Sequence, residues 1–407
     1  MRILILTQYY PPEIGAPQNR LHELAIRLKA YGAQIEVLTA LPNYPQMEIQ
    51  HAYRNGQNRE EQIDGIAVHR SWIYISSSKG IIARLLNYFS FVWSSYWRGR
   101  KLEQFDFLLV ESPPLFLGYS AMALAKKLGA KLVFNVSDLW PESAEKLGIV
   151  NNKTMLNIAY RLEAKCYQKA ALITGQTQGI TNDITTRFAH KAVYWLPNGV
   201  NIDFYNPDNF EAGAFRHQNG FSQEDVLFFY GGIIGYAQGL EVILHAAHEV
   251  RNLPHLKFII QGVGPEKSKL IQLQKDLELT NVYFLDPVPK TQMPTVLKDI
   301  DVALVPLKKL AIFEGAIPSK VFEALSMEVP LLLGVDGEAR QHFIENAKAG
   351  WYFEPENVRA LVEVLLELAA NTNAIEVAGQ NGRAYVSKHF NRDQIAASFY
   401  THLTSIS

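Results

Sequence analysis

The chain has 407 residues, with 39 Lys+Arg against 40 Asp+Glu and a formal net charge of -1. Hydrophobic residues make up 48% and charged residues 19%, which excludes a disordered or collagen-like chain and, at this length, points to two domains. No net basic charge recommends a nucleic-acid partner, and the single cysteine, Cys166, permits neither an intrachain disulfide nor a Cys/His zinc site, so a reducing, cytoplasmic setting is expected.

Met1-Arg2 is followed only by Ile3 to Leu6 before the polar Thr7-Gln8, too short an apolar run for a secretory leader. It reads instead as a buried first strand, Ile3–Thr7. Pro11, Pro12, Gly15 and Pro17 then make a tight loop, and a helix is expected over Gln18–Tyr31. A glycine beside a helix N-terminus lets a phosphate reach backbone N–H groups, although a plain strand-to-helix turn explains the loop equally well. Strands Ile35–Thr39 and Ala67–Ile73 follow.

The stretch from Ile81 to Trp97 comes nearest to a membrane span, but Arg84, Asn87 and several serines break it. Leu85, Phe89 and Trp93 recur every four residues, Leu86 and Val92 stand beside them, and Arg98, Arg100 and Lys101 close the run. Two readings stay open: a core helix, or a helix lying on an anionic membrane surface. Exposure of the aromatic residues separates them.

Strands Phe107–Val110, Lys131–Asn135 and Ala171–Thr174 alternate with helices Leu117–Leu128 and Lys153–Lys169. Asp138 stands just past the second of these strands, where it either orients a sugar or acceptor hydroxyl or caps the next short helix. The segment Pro197–Asn209, rich in Pro, Asn and Gly, breaks the pattern and marks the domain seam. Beyond it come strands Leu227–Tyr230, Lys257–Gln261, Val282–Leu285, Val302–Pro306 and Pro330–Leu333, with helices Leu240–Arg251, Gln292–Leu297 and Lys320–Met327. Amphipathic helices fill Arg359–Ile406, with a break near Phe390–Arg392. Strand–helix alternation in both halves predicts an α/β chain of two doubly wound, Rossmann-like domains facing each other across a cleft.

Four glycines in nine residues (Gly231, Gly232, Gly235 and Gly239) at one strand-to-helix junction exceed what a turn needs and suggest anion contact. Gly262 and Gly264 follow another strand. At the start of a later helix, Ser319, Lys320 and Glu323 offer a cation for phosphates and a carboxylate for ribose hydroxyls. The alternative is Ser319 as a helix cap, with Lys320 and Glu323 solvated. None of the 11 histidines has metal-ligand spacing, and no metal or cofactor is expected.

YYPPEIGAPQNR, LPNYP, SDLWPES, LPNGVNIDFY, YGGIIGYAQGL, QGVGP and AIPSKVFEALSM together resemble retaining GT-B glycosyltransferases of family 4. Among these they are most similar to bacterial L-fucosamine (fucosaminyl) transferases of O-antigen and capsule assembly. The resemblance runs nearly the whole length of the chain. It implies an acceptor-binding domain over 1–200, a nucleotide-sugar-binding domain over 201–385, and a closing helix over 386–407 that returns to the first domain. It implies a UDP-linked deoxyamino sugar, such as N-acetyl-L-fucosamine, as donor substrate. The acceptor would be a saccharide or a polyprenyl-diphosphate-linked saccharide, met at the inner face of the cytoplasmic membrane.

Carried onto this chain, the donor would touch Gly15, Asn198, Gly231, Gly232, Gln238, Gly262, Gly264, Val288, Ser319, Lys320 and Glu323. Asp138 and Glu314 would be catalytic. Three departures stand out. The first of two glutamates usually spaced eight apart falls on Gly315, with Glu314 one residue off. The usual Arg and Lys of the phosphate loop are Gly232 and Gln238, and Ser137-Asp138 replaces a customary histidine. A non-hydrolysing UDP-sugar epimerase and an inactive sugar-nucleotide-binding subunit are the rival functions. Donor supplied without acceptor separates the first, and binding without turnover the second.

Overall fold

The computed structural model describes residues 1–407 apart from Ile14, Pro45, Ser77, Lys79 and Leu147, and apart from the side chains of Ala16 and Ile81. Pro45 of the LPNYP segment and the Ile81 side chain therefore lie outside the described residues. The chain divides into two units, Met1–Asn198 with Arg392–Ser407, and Gly199–Asn391.

The first unit runs β1 (Arg2–Leu6), α1 (Ala16–Ala30), β2 (Gln34–Ala40), β3 (Glu60–Ile63), β4 (Ile66–Ser71), α2 (Ile81–Gly99) and β5 (Phe107–Ser112). It continues through α3 (Leu117–Leu128), β6 (Lys131–Val136), α4 (Glu142–Lys146), α5 (Lys153–Lys169), β7 (Leu172–Gly175), α6 (Gln178–Arg187) and β8 (Val193–Trp195). These make an eight-stranded sheet in the order β3-β4-β2-β1-β5-β6-β7-β8, in which only the β3–β4 pair is antiparallel. Along β1, Leu4 and Leu6 enter one core with Phe91, Leu117 and Tyr167, while Ile3 and Ile5 enter another with Leu21 and Leu24. Burial on both faces is why these strands are continuous apolar runs rather than alternating ones.

The second unit runs α7 (Ala214–Asn219), β9 (Val226–Gly231), α8 (Glu241–Glu249), β10 (Leu256–Gln261), α9 (Lys267–Asp276), β11 (Val282–Leu285), α10 (Met293–Leu297) and β12 (Val302–Pro306). After these come α11 (Ser319–Ser326), β13 (Leu331–Gly334), α12 (Glu338–Arg340), β14 (Gly350–Tyr352), α13 (Val358–Ala370) and α14 (Asn373–His389). All six strands are parallel, in the order β11-β10-β9-β12-β13-β14. Strand order reverses between β1 and β5 in the first sheet and between β9 and β12 in the second. Open parallel sheets bind ligands at the carboxyl ends of such strands.

The expected closing helix at 386–407 is split. Its first residues end α14, which packs on α11 so closely that a Cβ at Gly382 would lie 2.5 Å from the Leu325 side chain. The remainder is α15 (Arg392–Ser405), which belongs to the first unit. Ala396, Phe399 and Leu403 of α15 enter the core behind α1, and Asp393 pairs with Arg27 at 2.8 Å. Among the described residues no helix is long and apolar enough to cross a membrane.

The α2 helix faces the opposite way from a core helix. Asn87, Phe91, Ser94 and Ser95 are buried, while Ile82, Leu86, Phe89, Trp93 and Trp97 are exposed, Ile82 and Trp93 by 71% and 62%. The Ser95 hydroxyl meets that of Ser120 at 2.9 Å and the Asn87 amide donates to the Tyr74 carbonyl at 2.7 Å, so the polar face is satisfied inside. Of the expected stripe Phe89 and Trp93 face outward with Leu86 beside them, while Leu85 and Val92 are half-buried. Of the basic cluster, Arg98 pairs with Glu60, and Arg100 stacks on Trp97 with its guanidinium carbon 4.3 Å from the ring centre.

Candidate active site

In the second unit the residues expected at a donor converge at the carboxyl ends of β9, β10 and β12. Lys320, in the first turn of α11, lays its ammonium 3.5 Å from the ring centre of Tyr230, at the end of β9. A Cβ on Gly232 would lie 3.1 Å from that ammonium, and Gly232 has φ +141°. Glycine here supplies both the backbone conformation and the space the lysine occupies. No hydrogen bond to the Lys320 ammonium is recorded among the described residues. Desolvation pulls its pKa down to about 7, with the charge of Glu323 acting against that shift. A partly desolvated cation that, among the described residues, meets a tyrosine ring and one neighbouring carboxylate is stabilised by an added anion.

The capping alternative does not survive. Pro318 occupies the cap position of α11 with no side-chain cap bond, and Ser319 is the first helical residue. Glu323 is half-buried one turn on.

The glycine loops are built differently from the expected phosphate cradle. The Gly232 N–H donates to the Gln261 carbonyl at 3.0 Å, and Ile234 N–H to the Val263 carbonyl at 2.8 Å. The Gly232 N–H is therefore spent on protein, a correction to its expected role as an anion donor. Gly262 and Gly264 are required by packing. A Cβ at Gly262 would sit 1.9 Å from the Gly232 carbonyl oxygen, and one at Gly264 2.1 Å from that of Ile234. Gln238 ends the short turn Tyr236–Gln238, and Val288 lies half-buried after β11.

A second lysine was not anticipated. Lys308, after β12, places its ammonium 3.5 Å from the centre of the Tyr236 ring, and its backbone N–H donates to the Ala237 carbonyl at 2.9 Å. Two Lys–Tyr pairs therefore flank the glycine loop whose usual Arg and Lys are replaced. Glu314 is exposed in the turn Ala311–Gly315, on a cavity lined by Lys308, Lys309, Asp336 and Tyr352 but not by Lys320 or Glu323.

In the first unit, Gly15 caps the N-terminus of α1, and its carbonyl accepts the Asn19 N–H at 3.1 Å. The Gln18 side chain is buried against it with Oε1 unpartnered among the described residues. Glu13, also buried, accepts backbone N–H groups of Asn43 and Tyr44, both at 2.8 Å, and so ties the loop after β1 to the loop after β2. Burial pushes its carboxyl pKa up, and those N–H groups pull it back.

At the carboxyl ends of β5 and β6, Arg20 donates to both oxygens of Glu111 at 2.7 Å and to the Ser137 hydroxyl at 2.9 Å. Asn135 and Ser137 also donate to Glu111, and Thr174 donates to Asn135 at 2.6 Å. Ser137, standing where a histidine was expected, is part of this buried network. Its neighbour Asp138 accepts from the Ser143 hydroxyl in α4, and burial pushes the Asp138 carboxyl pKa up. Asn198 belongs to the first unit, where its amide oxygen accepts from Arg392 at 3.3 Å. No group of three or more His, Cys, Asp or Glu placed to hold a metal ion occurs among the described residues.

Residues 211–385 match the family model "Glycosyl transferases group 1", and residues 15–199 match "Glycosyl transferase 4-like domain". The putative colanic acid biosynthesis glycosyl transferase WcaI of Escherichia coli K12 is 27% identical over 394 residues, covering 93% of this chain and 95% of that protein. Sucrose-phosphate synthase of Thermosynechococcus elongatus superposes over 100% of both chains with a TM-score of 0.74 at 16% identity. Anabaena Alr3699/HepE, solved with UDP and glucose, does so over 100% of both chains with a TM-score of 0.72 at 16% identity. At that identity the structural likenesses speak to the fold alone.

Proposed function

Because its second unit belongs to the glycosyl transferases group 1 and its first is a glycosyl transferase 4-like domain, the chain is a glycosyltransferase of GT-B fold, and we propose that its donor is a UDP-linked sugar. In this reading the sugar, a deoxyamino sugar such as N-acetyl-L-fucosamine, moves with retention to a saccharide or polyprenyl-diphosphate-linked saccharide during surface-polysaccharide synthesis. The bond from the anomeric carbon to the diphosphate breaks, one to the acceptor oxygen forms, and UDP and the acceptor proton leave. The second unit carries the donor and the first the acceptor. Support for the setting comes from the relative named for colanic acid biosynthesis; the choice of UDP follows the sequence resemblance, and a protein of the same fold was solved with that nucleotide.

The observation that carries the reading is Lys320, a half-buried cation against the Tyr230 ring at the β9/β12 switch. Negative charge that builds on the departing diphosphate would meet it, so no metal is required. Glu323 would accept the ribose hydroxyls, and Asp138 would orient the acceptor. Glu314, on the Lys308 side of the loop, would face the sugar. The direct test is glycoside formation from UDP-sugars and an acceptor panel. Isomerised donor without acceptor would favour an epimerase. Glu323→Gln should weaken UDP and uridine alike by about tenfold to a hundredfold, the cost of charged hydrogen bonds lost to the ribose. Unchanged uridine affinity in calorimetry would remove Glu323 from that role.

Contact with an anionic membrane is part of the same proposal. The support is the outward face of α2, where Trp93, Trp97 and Arg100 stand together and aromatic rings beside basic groups suit a membrane–water interface. The protein should float with anionic liposomes at low salt, and Trp93→Glu, at an exposed site, should abolish flotation. A wild type that stays at the bottom of the gradient would end this part of the reading.

A further inference from the structure

Beside the outward face of α2, the first unit contains a cavity of about 260 Å³ that none of the roles above uses fully. Its walls are apolar: Leu85 and Tyr88 of α2, Phe116, Trp140, and Leu156 and Ala159 of α5. Phe116 joins the cavity to the exposed stripe, with its ring 4.9 Å from that of Phe89 on one side and 5.4 Å from that of Trp140 on the other. The lip is apolar and exposed as well, Ile149 by 57% and Met155 by 36%. Two charged side chains reach the space. Asp138 is held there by the Ser143 hydroxyl. Arg84 is exposed, and no hydrogen bond or ion pair to its guanidinium is recorded among the described residues.

An apolar chamber with an exposed cation at its edge fits an amphiphile whose tail is hydrocarbon and whose head is anionic. A volume of about 260 Å³ is roughly that of nine waters in the liquid, so it takes one chain segment of about as many carbons and not a pair of acyl chains. Through Phe116 the chamber adjoins the face proposed to meet the membrane, so a chain lying on that face has an apolar wall leading toward the pocket. We propose that this cavity binds the first segment of the single hydrocarbon chain of a lipid-anchored acceptor, with Arg84 meeting the phosphate that joins chain to sugar. This rests on the glycosyl-transfer reading only in calling the lipid an acceptor. The pocket itself is assigned from its walls and its cation.

The experiment measures equilibrium binding of farnesyl monophosphate, dimethylallyl monophosphate and inorganic phosphate to the full chain, with no donor present. Farnesyl monophosphate should bind at least tenfold more tightly than the five-carbon ester, and inorganic phosphate should compete more weakly than either. Ala159→Phe fills the chamber and should cost tenfold or more. Ile149→Asp, at an exposed position where folding is not at stake, should do the same at the lip. Arg84→Ala should weaken the phosphate ester and leave farnesol unchanged. No dependence on chain length, or full affinity in Ile149→Asp, would overturn the assignment. Binding lost in Trp93→Ser but kept in Ile149→Asp would put the chain on the α2 face and overturn it equally. Calorimetry with UDP on the same protein separates the two readings, since pocket-dependent lipid binding without UDP binding would defeat glycosyl transfer and leave the pocket standing.

Discussion

Lys320→Met is expected to weaken UDP binding by about tenfold to a hundredfold and, in the same variant, to stabilise the second unit. The ammonium lies against the Tyr230 ring, and desolvation brings its pKa to about 7 from an ordinary 10.5. Between those values the unfolded chain binds a proton that the folded one does not, so this group's contribution to stability rises with pH across that window. Below about pH 7 the full penalty of holding the charge is present. Methionine, of similar length and apolar, removes it. The melting temperature of the variant should therefore exceed that of wild type most at pH 6, by at least the roughly 2–4 °C expected per kcal/mol in a domain of this size, and the gap should close toward pH 10. Binding moves the other way. A diphosphate recruits the protonated form, so wild-type affinity for UDP should fall as pH rises above about 7, by at most tenfold per unit, with proton uptake visible in calorimetry. The variant should lose UDP by about tenfold to a hundredfold at pH 7, the worth of charge-assisted hydrogen bonds, and keep its affinity for uridine. Equal weakening of UDP and uridine, or a variant less stable than wild type at pH 6, would place Lys320 in the framework rather than at the phosphates.

How much of this was legible in sequence differs from element to element, for physical reasons. Strands such as β5 and β6 are apolar runs buried on both faces, so composition alone exposes them. The edge strands β8 and β14 are three residues each and half-buried throughout, which leaves neither a run nor an alternation to read. The glycine loop after β9 was visible as glycine, but its cause was not. Gly262 and Gly264 are there because another backbone passes within contact distance, a fact about the fold and not about local sequence. Period-four recurrence revealed the α2 helix but not which side of it is wet. A run of aromatic residues suggests burial, whereas here the buried side holds Asn87, Ser94 and Ser95, each with a partner on another segment. Lys320 and Glu323 stand on one helix turn and could be paired by eye. Lys308 reaches Tyr236 across more than seventy positions, and Arg20 reaches Glu111 across ninety-one, so no spacing rule connects them.

The Arg20–Glu111 pair should show the largest stability effect of any single substitution near the site. Both side chains are buried, Glu111 by all but 4% of its surface, and its two oxygens are shared by Arg20, Asn135 and Ser137. Removing the carboxylate in Glu111→Ala leaves a guanidinium in the interior whose remaining hydrogen bond among the described residues is to the Ser137 hydroxyl, a loss of roughly 3–5 kcal/mol by analogy with other broken buried pairs. Replacing both partners in Arg20→Met/Glu111→Leu takes the orphaned charge away, so the double variant should be more stable than Glu111→Ala, a non-additivity that denaturant titration reads directly. If the double variant is as unstable as the sum of the two singles, the residues are not coupled. Stability is only part of what the pair does. Arg20 lies in α1, whose N-terminus begins at Gly15, while Ser137 leads into Asp138 and the wall of the apolar cavity. The same bonds that neutralise the charge thus hold the loop after β6 against the helix after β1. A double variant that recovers stability yet still loses transfer would show that the network sets the geometry of those two loops. One that recovers both would confine its role to keeping a buried charge paired.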